Sequence, residues 1–320
     1  MNTEKNTKIL IAGDHGMVGS AISRRFRESP YSNFILQTPL ELDLRKQAAV
    51  QVFFEKEKPD YVFLAGSRDG GISANRTHPS DFMYDNIMME ANVIHACYRT
   101  GVKRLFLFAS SFVYPNGVSQ PIKEESLLER KLEPAYEFYA ISKIAGIKMC
   151  QAYNKQYDCK FVSMIHSDLY GDNDQYGSLD AHVVPALVQR IYEAKIYNKE
   201  AVEVWGAGTA KREFLHVDDL ADACFFLMNR EDCPEIINVG TEECVTIQEL
   251  SDFIRLHVGY SGHLYFNPAK PDVREPRTLD TSIMNQLGWY PKIKLLPGLK
   301  KVFQAYERDH HGLSEDSLVF

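Results

Sequence analysis

The sequence lacks most of the features that mark a specialised chain. Its six cysteines (Cys97, Cys150, Cys159, Cys224, Cys233 and Cys244) include no Cys-x-x-Cys pair. Neither a zinc site nor a disulfide framework is therefore expected, and reduced thiols in a cytoplasmic protein are. No apolar run reaches the ~18 residues of a membrane-spanning helix. The opening stretch, MNTEKNTK, is polar and lacks the apolar segment of a secretory signal. Basic residues are not in excess: a net charge of −7 argues against general affinity for nucleic acid or an anionic membrane. Internal repeats and low-complexity linkers are absent as well. What remains is an ordinary soluble composition, 45% hydrophobic and 25% charged. At 320 residues the chain is long enough for one large α/β domain, or a domain plus a smaller lobe.

What is present first is an alternation. KILIAG (residues 8–13), NFILQT, YVFLAG, RLFLFAS and KFVSMIH are short continuous apolar runs, the pattern of strands buried on both faces of a parallel sheet. Between them lie helical stretches such as VGSAISRRFRES and NIMMEANVIHACYRTG. The alternation predicts a doubly wound parallel α/β sheet of Rossmann type over residues 1–170. Beyond that the pattern loosens. GDNDQYGSLD reads as a loop, HVVPALVQRIYEAKIYN as a helix, and Thr246 with Glu249 as a capping box. Residues 171–320 are expected to form a smaller α/β substrate lobe interleaved with the first, with 217–242 returning to the sheet domain and HHGLSEDSLVF left as a polar tail.

IAGDHGMVGSAI places Gly13, Gly16 and Gly19 after the first strand and at the opening of a helix. Glycines there let the backbone turn tightly against a pyrophosphate, and the helix N-terminus adds free N–H groups. A dinucleotide site is predicted. An acidic residue ending the second strand would favour NAD, and an arginine NADP. Here Gln37, Thr38 and Pro39 offer neither, while Asp43 lies further on, placed to approach the adenine end. His15 stands in the loop either as a phosphate contact or as a solvated side chain.

YAISK puts Tyr139 and Lys143 on one helix face. An alkoxide formed by hydride addition to a carbonyl needs a proton, and a phenol can give it. An adjacent ammonium is expected to lower the phenol's pKa from ~10. Ser110, at a strand end, is expected to orient the carbonyl oxygen.

With these motifs on one chain, the sequence resembles the extended short-chain reductases that act on nucleotide sugars, and among them the GDP-L-fucose synthase family of 3,5-epimerase/4-reductases. The resemblance runs through IAGDHGMVGSAI, GGISAN, FMYDNIMMEANVIHAC, SSFVYP, EFYAISKIAGIKMC, HVVPALVQR, VWGAGTAKREFLHVDDLA, INVGT and QLGWYP. It implies Ser110, Tyr139 and Lys143 as the reductive set, with His182 beside them. Gly13, His15, Gly16, Met17, Val18, Gly19, Asp43, Leu44, Ala65, Gly66 and Ser67, with Tyr139, Lys143 and His182, would meet the cofactor. Ser111, Phe112, Asp168, Val183, Arg190, Trp205, Arg212, Lys270 and Arg277 would meet the GDP-sugar. NADPH is the cofactor this kinship implies, with NADH left open because the family's arginine positions hold His15 and Pro39. It also implies a homodimer formed through the helices around 86–99 and 139–153. No metal is implied.

One position departs from the family. Epimerisation beside a ketone needs a base and an acid, and the family's pair is a cysteine and a histidine. The histidine is His182; the cysteine position is Phe112. The expected activity is therefore an NAD(P)H-dependent C4 reduction of a GDP-4-keto-sugar, a 6-deoxyhexose or a heptose, without epimerisation and in surface-polysaccharide synthesis. The alternatives are a bifunctional fucose synthase, a 4-epimerase or dehydratase with tightly held NAD, and a non-catalytic dinucleotide sensor.

Overall fold

A computed structural model of the chain describes residues 6–37, 41–177, 181–273 and 275–310. The side chain of Gln37, all of Thr38 and Pro39, and the polar tail from 311 lie outside what it describes.

The alternation read from the sequence is the architecture. β1 (Ile9–Ala12) leads into α1 (Met17–Arg27), β2 (Phe34–Gln37), α2 (Gln47–Glu57), β3 (Tyr61–Leu64), the short α3 (Ile72–Thr77) and the long α4 (Pro79–Thr100). β4 (Arg104–Ser110), α5 (Glu137–Tyr157) and β5 (Phe161–His166) complete the first run. Then come β6 (Asp168–Tyr170), α6 (Val183–Ile196), β7 (Ala201–Trp205), β8 (Lys211–His216), α7 (Val217–Met228), β9 (Ile236–Val239), β10 (Cys244–Thr246), α8 (Ile247–Val258), β11 (His263–Asn267), α9 (Ser282–Leu287) and α10 (Leu295–His310).

The main sheet runs β2-β1-β3-β4-β5-β9, every pair parallel. All residues of β1, β3 and β5 are buried, which is why β1 and β3 are apolar throughout and β5 carries only Ser163 and His166 as polar residues, rather than alternating. β9 brings a late segment back to the sheet edge, and α7 lies against α1 through Arg24–Asp218 (2.8 Å) and Arg25–Asp222 (2.9 Å). Because β1 has β2 on one side and β3 on the other, the chain winds away in both directions from that point. A crevice opens there beyond the strands' C-terminal ends.

Two smaller sheets, β10-β8-β6 and β11-β7, enclose a second apolar core with α6, α8 and α10. The Thr246–Glu249 capping box is formed and starts α8; such a cap is worth about 1 kcal/mol. β6 follows directly on β5, and β8, its parallel partner, leads straight into α7, so this core forms the far wall of the crevice.

Candidate active site

The crevice begins with the glycine turn. Gly13 has φ of 91°, and a Cβ there would lie 2.5 Å from the Cα of Gly66. The Gly66 N–H donates to the Ala12 carbonyl at 2.7 Å and locks the ends of β1 and β3 together. Leu44, itself buried, packs against Gly66. A Cβ on Gly19 would collide with the Gly13 carbonyl oxygen, so this glycine lets α1 sit against the turn. Gly16 precedes α1 in extended conformation, no side chain caps the helix, and a Cβ there would meet only the Gly13 oxygen at 3.7 Å. This cradle, with uncapped first-turn N–H groups, fits a pyrophosphate.

From it extends a cavity of about 580 Å³. His15, Gly16, Met17, Val18, Ala65 and Ser67 line one end, and Val183, Arg190, Trp205 and Arg212 the other. Ser110, Phe112, Tyr139, Lys143, Asp168 and His182 lie in the same wall. Asp43 is outside it: Arg45 holds its carboxylate through Nε at 2.9 Å and Nη2 at 3.1 Å, an ionic bond that keeps its pKa below the ordinary value.

Ser110 ends β4, and its Oγ accepts the N–H of Phe112 at 3.5 Å in the tight turn that follows. Tyr139 and Lys143 are buried one turn apart on α5. The ammonium, however, is already paired. Lys143 Nζ donates to Glu90 Oε1 at 2.8 Å, with both side chains only 3% exposed. The Tyr139 phenol, expected from the motif to be acidified, is shifted the other way. Burial first, then the carboxylates of Asp69 and Glu90, hold its pKa well above 10, and a backbone hydrogen bond from Ser110 only partly offsets them.

His182 sits just before α6, and its side chain does not cap that helix. It lies between two carboxylates instead, with Nε2 3.6 Å from Asp69 and Nδ1 3.5 Å from Asp174. Burial disfavours the imidazolium, but the charges of Asp69 and Asp174 outweigh it and raise the pKa well above 6.5. Asp69 is correspondingly depressed to about 2: burial opposes this, and His182 overcomes it. His166, by contrast, is pushed down to about 4 by burial and is neutral.

Phe112 is 7% exposed and stacked on Tyr136, ring centroids 3.9 Å apart. Arg277, assigned to the GDP end by resemblance, lies 4.9 Å over the Phe112 ring and does not line the cavity. It donates to the carbonyls of Ser111 (3.3 Å) and Tyr114 (2.7 Å) and to Asn116 Oδ1 (2.5 Å), so it braces the loop after β4 from behind. Ser111 is buried in that brace and is not a cavity residue either. Arg212 does face the cavity, but its donors are in use: Nη2 bonds the Val273 carbonyl at 2.9 Å and Nη1 that of Glu275 at 3.4 Å, and Nε lies 3.6 Å from Asp168. Arg190 stacks on Trp205 at 5.1 Å, and Lys270, itself outside the lining, lies 5.5 Å from the same ring. A flat indole flanked by two cations suits a base and a phosphate.

Motif reading missed Glu90, Asp69, Asp174 and Tyr136. Only Glu90 left a signal, a lone carboxylate inside the apolar helical run IMMEANVIHAC.

A glycine turn on a doubly wound parallel sheet, with serine, tyrosine and lysine gathered at the strand ends, is the arrangement of an extended short-chain dehydrogenase/reductase. The chain belongs to the NAD dependent epimerase/dehydratase family, whose model matches residues 9–240. It is 47% identical over 304 residues to GDP-L-fucose synthase 1 of Arabidopsis thaliana, covering 95% of this chain and 94% of that one. Among solved structures it resembles a GDP-6-OMe-4-keto-L-xylo-heptose reductase from C. jejuni (TM-score 0.90, 34% identity, 96% of this chain and 99% of the other). It also resembles a GDP-mannoheptose C4 reductase from Campylobacter jejuni with NADP bound (TM-score 0.86, 36% identity, 95% and 99%).

Proposed function

We propose that the protein reduces the C4 ketone of a GDP-linked 4-keto sugar with NADPH. The observation that carries this is the convergence of Ser110, Tyr139 and Lys143 in the cavity wall between the glycine turn and the Arg190–Trp205 stack. Bound NADPH would supply hydride to C4. Ser110 orients the carbonyl oxygen, Tyr139 delivers its proton there, and Lys143 holds the ribose side of the site. Relatives named for GDP-sugars, and a neighbour carrying NADP, support both substrate class and cofactor.

A second reading adds 3,5-epimerisation. The name of the 47% identical relative favours it. Phe112 weighs against it, because a phenyl ring stacked on Tyr136 can neither take nor return a proton. Incubation with GDP-4-keto-6-deoxymannose in deuterated water separates the two. NADPH consumption that Tyr139→Phe lowers by about 10²-fold or more supports the reduction; no consumption by the native enzyme, with this sugar or with the corresponding heptose, overturns it. Deuterium at C3 or C5 in the absence of NADPH establishes the second reading.

The exposed aromatics along α4 and α5, Tyr84 (63%) and Tyr157 (45%), with Tyr157 stacked on Tyr98, support assembly with a second copy of the chain.

A further inference from the structure

Phe112 stands where the family resemblance calls for a proton-transfer group, yet it offers little of itself to a ligand. Its side chain is almost wholly buried. The Tyr136 ring lies against it, with centroids 3.9 Å apart and planes 19° apart. Arg277 Cζ lies 4.9 Å over the same ring, and that guanidinium is fixed in turn by the carbonyls of Ser111 and Tyr114. What the phenyl ring does hold is Tyr136. This tyrosine is the more exposed of the two, half-buried in the same cavity wall as Ser110 and Tyr139. It immediately precedes α5 without capping it. Its N–H donates to the Glu133 carbonyl at 3.0 Å, and its own carbonyl accepts the Ala140 N–H at 2.8 Å, so its backbone is pinned on both sides. Its hydroxyl has no hydrogen-bond partner among the described residues. Burial, the first cause, keeps the phenol protonated, and a neutral phenol both donates and accepts. A phenylalanine would fill the wall equally well; a hydroxyl with no protein partner suits a hydroxyl-rich ligand.

We propose that Tyr136 is a specificity-determining contact whose hydroxyl bonds a ring hydroxyl of the sugar, and that Phe112 is the positioning residue that holds the Tyr136 ring in place for it. The inference rests on the reading of the cavity as a keto-sugar reductase site. Its place follows from the neighbours of Tyr136. Tyr139, the proton donor, is close enough on one side for the two phenols to interact, and Arg212 with Asp168 lies on the other. The sugar spans this same stretch, between the carbonyl at Tyr139 and the diphosphate at the cationic end of the cavity. Phe112 acts through Tyr136 because one face of its ring is taken up by that stack, and a stacked pair holds both rings in a fixed orientation. Without the phenyl ring, Tyr136 keeps its backbone position and loses the surface that sets its side chain.

The test has a binding arm and a turnover arm. Calorimetry measures the affinity of the native protein and of Tyr136→Phe for GDP-mannose and for GDP alone. Tyr136→Phe keeps the stack and removes the hydroxyl. Its Kd for GDP-mannose should rise by about threefold to tenfold, the worth of one neutral hydrogen bond, while its Kd for GDP stays within about twofold of native. An unchanged Kd for GDP-mannose overturns the contact. A Kd for GDP that rises as much as that for GDP-mannose overturns it too, because the hydroxyl then serves the diphosphate. The turnover arm follows NADPH consumption with GDP-4-keto-6-deoxymannose or the corresponding heptose in Tyr136→Ala, Phe112→Leu and the double variant. Phe112→Leu fills the space with no ring face and should lower kcat/KM by about tenfold in the native background. In the Tyr136→Ala background the same change should cost less than about twofold, since nothing is left for Phe112 to hold. Losses that multiply give Phe112 a role of its own and overturn the positioning. Should Phe112→Leu not fold, Phe112→Met takes its place in both backgrounds. A native protein that reduces neither sugar refutes the proposed reaction, and the binding arm, which needs no turnover, then decides the contact alone, with Phe112→Leu expected to raise the Kd for GDP-mannose only where Tyr136 is present.

Discussion

Replacing Asp69 with asparagine should make His182 easier to deprotonate. His182 faces two carboxylates, and Asp69 is the one across its Nε2, at 3.6 Å. At that distance an effective dielectric of ~20 gives an attraction of about 4–5 kcal/mol before any loss to solvent. The side chains are 33% and 46% exposed, so screening reduces this to the range of a surface pair, about 0.5–1 kcal/mol. At 1.36 kcal/mol per pH unit, the midpoint of His182 should fall by ~0.4–0.7. The sign for stability follows. A histidine whose folded pKa exceeds its unfolded value of ~6.5 contributes stability that is complete below that value and disappears as pH rises through the folded one. Asp69, depressed to about 2, loses its share as the pH falls below its unfolded value of ~3.9. The deficit of Asp69→Asn should therefore be widest from about pH 4 to 6.5 and close on the alkaline side. Nuclear magnetic resonance titration of the imidazole C–H protons, assigned with His182→Gln, measures the midpoint; urea unfolding across the same range measures the deficit. A midpoint that stays put or rises refutes the ion pair. Removing Asp174 as well should drop the midpoint below ~6.5, because burial then acts alone.

Two further outcomes test the scaffold. Gly13→Ala combines left-handed backbone strain of roughly 1–2 kcal/mol with a Cβ 2.5 Å from Gly66, so NADPH binding followed by fluorescence should be lost and the unfolding temperature lowered. Arg277→Met strips donors from the buried carbonyls of Ser111 and Tyr114, and should cost about 2–4 kcal/mol in urea unfolding. If Arg277 instead contacts the nucleotide directly, that variant would raise the substrate KM while leaving stability intact.

The strands of the main sheet were legible because each carries a continuous apolar run, and RLFLFAS became β4 residue for residue. The glycine turn was legible because its spacing reflects a backbone requirement at Gly13 and Gly19 that other side chains do not meet. The arginines were not. Arg190, Arg212 and Arg277 look equally available as letters, and whether a guanidinium is free for phosphate depends on which carbonyls the fold brings within reach. Arg277 proved to be spent on the loop that carries Phe112, 163 to 166 residues earlier in the chain. The surroundings of Tyr139 were not legible either, because burial, the first cause that raises its pKa, and the carboxylate of Asp69 come from the fold and not from the motif. The motif supplies Lys143, while the glutamate that accepts its hydrogen bond sits 53 residues upstream on another helix.

The sequence by itself determined the parallel sheet, the glycine turn and the placing of Tyr139 and Lys143 on one helix face, because those depend on local backbone geometry and on side chains spaced along a single strand or helix. Tertiary structure alone decided which charges meet: Glu90 with Lys143, Asp69 and Asp174 with His182, Arg277 beneath Phe112. The physical reason is that electrostatic and desolvation energies depend on separation in space and on burial, and neither is encoded by spacing along the chain.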